Sequence, residues 1–293
     1  NGTPPFRTAN VWTNSAPTST TFGVINSTSS NSVEYINYCW ADVAGYQKID
    51  SYEGNGSTNG PVVNVGFEPA LVMVKNVDST DNWLVFDNKR NTTNPRTKLL
   101  QWNLSNAEGT EAGAQMNFYS NGFQSVGEGG GAGSGQINAN GDTYLYLAIA
   151  ANPDEESPTL ASSFNIETYT GTNIDPLVVN SLGFSPGFVW IKVRDASREH
   201  ILSDIVRGPD KELSTNATDA EESRGVKSFD SNGFTLDNST SNYNHDGENY
   251  VAWTWKANDN EPTYNTNGSI NSIVSANDNA GFSIVSYTGD GNS

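Results

Sequence analysis

The stretch Gly183-Phe-Ser-Pro-Gly-Phe-Val-Trp-Ile-Lys-Val-Arg-Asp195 constrains the fold more than any other, because the chain writes it twice. The earlier copy is Gly66-Phe-Glu-Pro-Ala-Leu-Val-Met-Val-Lys-Asn-Val-Asp78, an offset of 117 positions from Gly66 to Gly183. In each copy a Gly-Phe-x-Pro turn leads into an apolar run, Leu71 to Val74 or Phe188 to Ile191, followed by a lysine. The run is too short for a helix and rich in β-branched and aromatic residues. It has no polar alternation, which predicts a strand covered on both faces. A strand of that kind is central, and the repeat is built around it.

The rest of the chain aligns on this landmark. Tyr52-Glu-Gly, Tyr169-Thr-Gly and Tyr287-Thr-Gly follow short strand-like segments and are spaced 117 and 118 positions apart. Periodicity of this length over three copies marks a repeat architecture. Downstream of the central strand come Trp83-Leu-Val-Phe-Asp87 and His200-Ile-Leu-Ser-Asp204, with Arg90 and Arg207 three positions later. Ala107-Glu108 and Ala220-Glu221 follow, in polar loops or a short helical turn. Two Ser-Asn-Gly-Phe segments, at 120–123 and 231–234, predict hairpins. Closing strands are predicted at Tyr144-Leu-Tyr-Leu-Ala-Ile and Tyr250-Val-Ala-Trp-Thr-Trp. At the start, Thr21-Phe-Gly-Val-Ile matches the strand after the hairpin and Tyr35-Ile-Asn-Tyr-Cys-Trp the closing strand. At the end, Gly281-Phe-Ser-Ile-Val-Ser-Tyr287 matches only a first strand.

The expected organisation is therefore the C-terminal half of a unit (1–43), two full units (44–152 and 160–258), and a linker with the first strand of a further unit (263–293). Linkers are expected at about 152–161 and 258–268, and a flexible glycine-rich loop at 127–135. Asn1-Gly-Thr-Pro-Pro, with neither initiator methionine nor signal peptide, reads as a cut end of a longer chain. Alternatively, the terminal pieces pair with neighbouring subunits. Six or seven short strands in about 100 residues, with turn signals between them, give an all-β fold of tandem β-sandwiches.

Composition narrows the function classes. A formal net charge of −18, from 15 Lys and Arg against 33 Asp and Glu, argues against nucleic-acid binding, which rests on basic side chains neutralising phosphates. Only 16% of residues are charged, and Asn, Ser, Thr and Gly supply the remaining polar surface. No run is long and apolar enough to insert into a membrane. The expected location is extracellular or on a virion surface. Asn-x-Ser/Thr triplets at Asn55, Asn91, Asn216 and Asn267 are attributed to the abundance of these residues.

Taken together, the motifs resemble a repeat of tail and fibre-like structural proteins of tailed, notably marine, bacteriophages. The second unit carries the pattern nearly throughout: Tyr169-Thr-Gly, Gly183-Phe-Ser-Pro, Asp204-Ile-Val-Arg-Gly208, Ser231-Asn-Gly-Phe and Tyr250-Val-Ala-Trp-Thr-Trp-Lys-Ala257. The first departs at Asn91, where the pattern has glycine, and in its last strand. The resemblance implies a virion structural protein, a tail fibre or surface appendage, with a laminin-G-like or lectin-like jelly-roll sandwich. It implies no catalytic residue. Expected partners are other virion subunits or further repeats, as a homo-oligomer, and a host-surface glycan for adhesion. A secreted bacterial adhesin or carbohydrate-binding array, and a polysaccharide depolymerase, are the alternatives.

Residues recurring in register belong to the scaffold, whereas a catalytic set stands out in one copy. Cys39, the only cysteine, is level with Ala148 and Thr254 and reads as packing. His200 is level with Trp83, and His245 lies in a polar loop; neither has a repeated partner. Asn244, Asp246 and Glu248 offer oxygens for calcium, but their spacing favours an Asx-type turn, so no cofactor is expected. Asp87 with Arg90 and Asp204 with Arg207 read as turn-fixing ion pairs in preference to an anion site. Trp253 and Trp255 share one strand face and read as core or a sheet interface. Trp83 and Trp102 are the candidates for stacking on sugar rings, with packing under a loop the alternative.

Overall fold

A computed structural model describes residues 16–127, 135–151, 163–258 and 260–292. The expected linker at 152–161 and most of the glycine-rich loop lie outside the described residues, as does the start of the chain. The protein is all β. After a 3₁₀ turn (Asn26–Thr28) come β1 (Glu34–Trp40), β2 (Gln47–Glu53), β3 (Asn59–Asn64), β4 (Pro69–Asn76), β5 (Leu84–Asp87), β6 (Lys98–Gln101), β7 (Gly109–Thr110), β8 (Gln115–Tyr119), β9 (Gly122–Val126), a one-turn helix α1 (Gly135–Asn138) and β10 (Thr143–Ala150). The second unit runs β11 (Phe164–Thr170), β12 (Leu177–Val179), β13 (Phe188–Val193), β14 (Ile201–Asp204), β15 (Val226–Asp230), β16 (Gly233–Leu236), α2 (Ser241–Asn244) and β17 (Asn249–Trp255). The chain then adds β18 (Thr263–Asn265), β19 (Ser272–Asn277) and β20 (Phe282–Thr288). Among the described residues no helix is long and apolar enough to cross a membrane.

Each full unit is a sandwich of two antiparallel sheets. In the first, β2-β10-β4-β5-β6-β7 faces β3-β9-β8; in the second, β11-β17-β13-β14 faces β12-β16-β15. The repeated apolar runs become β4 and β13, each hydrogen-bonded on both sides and buried at nearly every position. Alternation along β13 explains why the run needs no polar residue. Val189, Ile191 and Val193 enter the core of their own sandwich with Phe234, Leu236 and Tyr250. Phe188 and Trp190 point the other way, into a second core shared with neighbouring units. The Ser-Asn loops close two-residue hairpins between β8 and β9 and between β15 and β16. The glycine after each loop is required by close approach. A Cβ on Gly122 would sit 2.0 Å from the Val63 carbonyl oxygen, and one on Gly233 1.8 Å from that of Val179.

The terminal pieces, expected as parts of separate units, pair with each other. Closing strand β1 lies antiparallel to first strand β20, with Tyr35 opposite Tyr287. The same register sets Tyr144 opposite Tyr52 and Tyr250 opposite Tyr169. All three tyrosine pairs stack, with ring centroids 5.2, 5.1 and 5.1 Å apart. The resulting sheet, β1-β20-β19-β18, is a third, partial unit. Two expectations need correction here. The segment from Thr263 holds three strands in place of a linker and one strand, because Ser272-Ile-Val-Ser duplicates Ser283-Ile-Val-Ser and forms a hairpin with it. Thr21 to Ile25 forms no named strand, since the small sheet that flanks β9 and β16 has no counterpart among the described residues of the third unit.

Candidate functional site

The repeated Asp-x-x-Arg pairs sit where units meet. At the end of β5, Asp87 accepts the backbone N–H groups of Lys89 and Arg90 on one oxygen and Arg90 Nε on the other, at 2.5 Å. Arg90 also donates to Glu108 and to the Val85 carbonyl, each at 3.0 Å. The second unit repeats this. Asp204 accepts from Val206 and Arg207 backbone and from Arg207 Nε at 2.6 Å, while Arg207 reaches Glu221 at 3.3 Å and the Leu202 carbonyl at 2.8 Å. The Ala-Glu motifs thus complete each arginine's set of acceptors. Both aspartates are fully buried, and each receives one more donor from the next unit. Trp253 Nε1 donates to Asp87 at 3.2 Å, and the Tyr38 hydroxyl to Asp204 at 2.8 Å. Trp253 and Tyr38 occupy the same place in β17 and β1, three residues after the stacked tyrosine. Burial, and then the Asp204 carboxylate, push the Tyr38 hydroxyl well above its ordinary pKa, so it stays a donor. The arginine nitrogens are spent on these contacts, which makes the pairs joints between units and leaves little for an anion.

Around the joints lies an aromatic centre drawn from all three units. Trp102 stacks on Trp190 at 4.3 Å and meets the edge of Trp253 at 6.0 Å. Tyr38 stacks on Phe188 at 4.1 Å, and Trp40 meets Trp255 edge-on at 5.9 Å. His200 is fully buried in the joint between the complete units. Its Nδ1 accepts from Trp190 Nε1 at 2.9 Å, and its Nε2 faces the carbonyls of Gln101 and Leu104 at 3.0 and 3.2 Å. Burial, with Lys192 nearby, holds the imidazole down at about 3, so it is neutral, with Nε2–H the donor. Glu108 spans the same joint through both its oxygens to Arg194.

A cavity of about 530 Å³ opens beside this centre. The third unit lines it with Tyr38 and Trp40, the first with Met73, Trp83, Trp102 and Leu147, the second with Trp190 and Leu202. The two tryptophans singled out from sequence therefore share one site but differ in state. Trp83 is 37% exposed, whereas Trp102 is 6% exposed and sandwiched by other indoles. The indole N–H groups of Trp40 and Trp102 have no hydrogen-bond partner among the described residues.

The remaining candidates are occupied locally. Asn244 is buried and accepts from the backbone of Thr172 and Asn173 while donating to the Ile174 and Asp237 carbonyls. Glu248 pairs with Arg198 through both oxygens, and Asp246 lies in an exposed turn. Among the described residues, no three His, Cys, Asp or Glu side chains gather as a metal site. Asn138 clamps the first unit as Asn244 does the second, bonding Asn55 and Ser57. Cys39 faces Ser283 across the β1–β20 pair, and burial pushes its thiol up. His245 is exposed beside Glu248.

A family model described as a domain of unknown function (DUF7483) matches residues 2–153 and 160–293. The chain belongs to that family. No curated protein and no solved structure matches it. The joints of this DUF7483 chain include residues that motif reading passed over. Tyr38 and Trp190 carried no separate signal, since either is an ordinary aromatic strand residue. Glu108 and Glu221 carried one, the Ala-Glu motif that follows each Asp-x-x-Arg pair, 18 residues after Arg90 and 14 after Arg207.

Proposed function

We propose that this protein is a non-enzymatic structural protein whose β-sandwich units build a tail fibre or other surface appendage of a phage virion. The observation carrying this reading is the recurrence of the joint. Among the residues preserved between units are those that fasten one unit to the next: the buried Asp-x-x-Arg pair, its glutamate, and the aromatic donor from the neighbouring closing strand. Repetition that extends to the joints suits a part whose work is assembly. The acidic surface keeps such an array dispersed. The motif pattern shared with phage fibre-like repeats supports the virion setting. A glycan-contacting role would rest on Trp83 alone, since Trp102 is enclosed.

Immunogold labelling of phage particles that encode this chain tests the proposal. Label on a fibre or surface appendage is expected. Unlabelled particles, with the protein recovered instead from the cell envelope or the medium of uninfected bacteria, would overturn it in favour of a bacterial adhesin.

A further inference from the structure

The sheet of the third unit lacks the central strand around which the two complete units are organised. Closing strand β10 lies between β2 and β4, and β17 between β11 and β13, whereas β1 is paired on one side only among the described residues. Its side chains record the difference. Tyr38, Cys39 and Trp40 are each partly exposed, while their counterparts Leu147, Ala148 and Ile149, and Trp253, Thr254 and Trp255, are buried. An unpaired edge beside an apolar cavity is a template for one more strand.

The two complete units specify that strand. In them, Leu147 pairs with Met73 and Ile149 with Leu71, while Trp253 pairs with Trp190 and Trp255 with Phe188. Opposed residues in an antiparallel pair project to the same face. Tyr38 and Trp40 line the cavity, so a central strand docked on β1 in that register sends its own two equivalents into it. The same comparison accounts for Trp83. Its counterpart, His200, is covered by residues 101–104 of the preceding unit, and the described residues of the third unit offer Trp83 no such cover.

We propose that the open edge of β1 takes up a further central strand of the repeat, of the Gly-Phe-x-Pro type, whose inward side chains fill the cavity. Its source is a repeat unit other than the two complete ones, because β4 and β13 are already hydrogen-bonded on both edges. The inference rests on the assembly role proposed above but not on its virion setting. A second copy of this chain pairing edge to edge on β1 would bring together two molecules each carrying −18, which opposes that occupant.

The test uses the whole chain and a labelled synthetic peptide, Gly183 to Asp195, followed by fluorescence anisotropy and by hydrogen exchange of the β1 amides. Two control peptides carry N-methyl groups on alternate amides, one in each phase. Saturable one-to-one binding is expected. One methylation phase should weaken it about tenfold or more, the worth of a ladder hydrogen bond or two, and the other should leave it nearly unchanged. Exchange at the Ile36, Tyr38 and Trp40 amides, which point away from β20, should slow only when peptide is present. Equal binding by both methylated peptides would overturn the proposal, since it signifies apolar adsorption. So would protection of those three amides in the free protein, as an occupant from residues 1–15 or a second copy would give, or a host oligosaccharide that binds at Trp83 while the peptide does not. None of these outcomes bears on where the protein sits in a virion, which immunogold labelling decides separately.

Discussion

Replacing Arg90 with leucine removes the cation from the joint between the complete units and leaves Asp87 buried without a counter-charge. Arg90 and Asp87 are both fully buried at the side chain, and the substitution deletes bonds to Asp87, Glu108 and the Val85 carbonyl. Glu108 keeps its bidentate partner Arg194, so the loss concentrates on Asp87. Breaking a buried pair from one side costs about 3–5 kcal/mol, because the surviving charge cannot return to water. Asp87→Asn should cost less, about 2–3 kcal/mol, since Glu108 still neutralises Arg90. The double variant has no stranded charge and should cost about 2 kcal/mol or more less than the sum of the two single substitutions. Urea unfolding followed by tryptophan fluorescence suits the measurement, because Trp253 donates to Asp87 and lies under Arg90, with the guanidinium carbon 5.7 Å from its ring centroid. If the single costs add to within about 0.5 kcal/mol, or Arg90→Leu costs under about 1 kcal/mol, the pair behaves as a surface ion pair and the joint is misassigned.

Two further predictions concern the same scaffold. The His200 imidazole is held at about 3 in the fold, against about 6.5 in an unfolded chain, so between these values the unfolded state binds the extra proton. Its contribution is therefore complete above about pH 6.5 and is lost as pH falls, by about 1.4 kcal/mol per unit; His200→Asn should flatten that part of a stability–pH profile, and parallel profiles for variant and parent between about pH 6 and 4.5 would refute the assignment. Gly233→Ala places a methyl group against the Val179 carbonyl and should destabilise by about 1–3 kcal/mol, whereas Gly109→Ala, with nothing within 4 Å of its new Cβ, should stay within about 0.5 kcal/mol; similar thermal shifts for the two would show that close approach does not explain Gly233.

What was legible in the chain follows from the range of each interaction. The succession of strands in the complete units shows in the sequence because turn chemistry and side-chain alternation are local. The pairing of β1 with β20 is not local: its partners lie at opposite ends of the chain, and each reads equally well as the edge of a separate unit. β18 is three residues long and follows Glu261-Pro262, which by composition marks a linker. The difference between Trp83 and Trp102 was likewise hidden. Both flank short strands of the first unit, and only the neighbouring units decide which is enclosed. Register sets Cys39 level with Ala148 and Thr254, and His200 level with Trp83. It placed the Asp-x-x-Arg pairs in turns but could not reveal the donors that cross to them.

The three closing strands are not interchangeable, and the exception bears on the open edge. At the position where β17 presents the Trp253 indole to Asp87 and β1 the Tyr38 hydroxyl to Asp204, β10 has Leu147. A leucine there donates nothing. Following the order of the other joints, the group facing Leu147 comes from the unit that completes the third sheet. An Asp-x-x-Arg pair in that unit would bury a carboxylate with one donor fewer than its counterparts, at a cost of about 1–3 kcal/mol for the unmade bond. Met73 and Leu145, which line the same wall of the cavity, supply no donor either. The part of the lining formed by Met73, Leu145 and Leu147 is thus suited to an apolar occupant. A strand docked on β1 would satisfy it with the inward residues of a central strand, and the strand after it would be more stable with an apolar residue in place of the aspartate that fastens the other two joints.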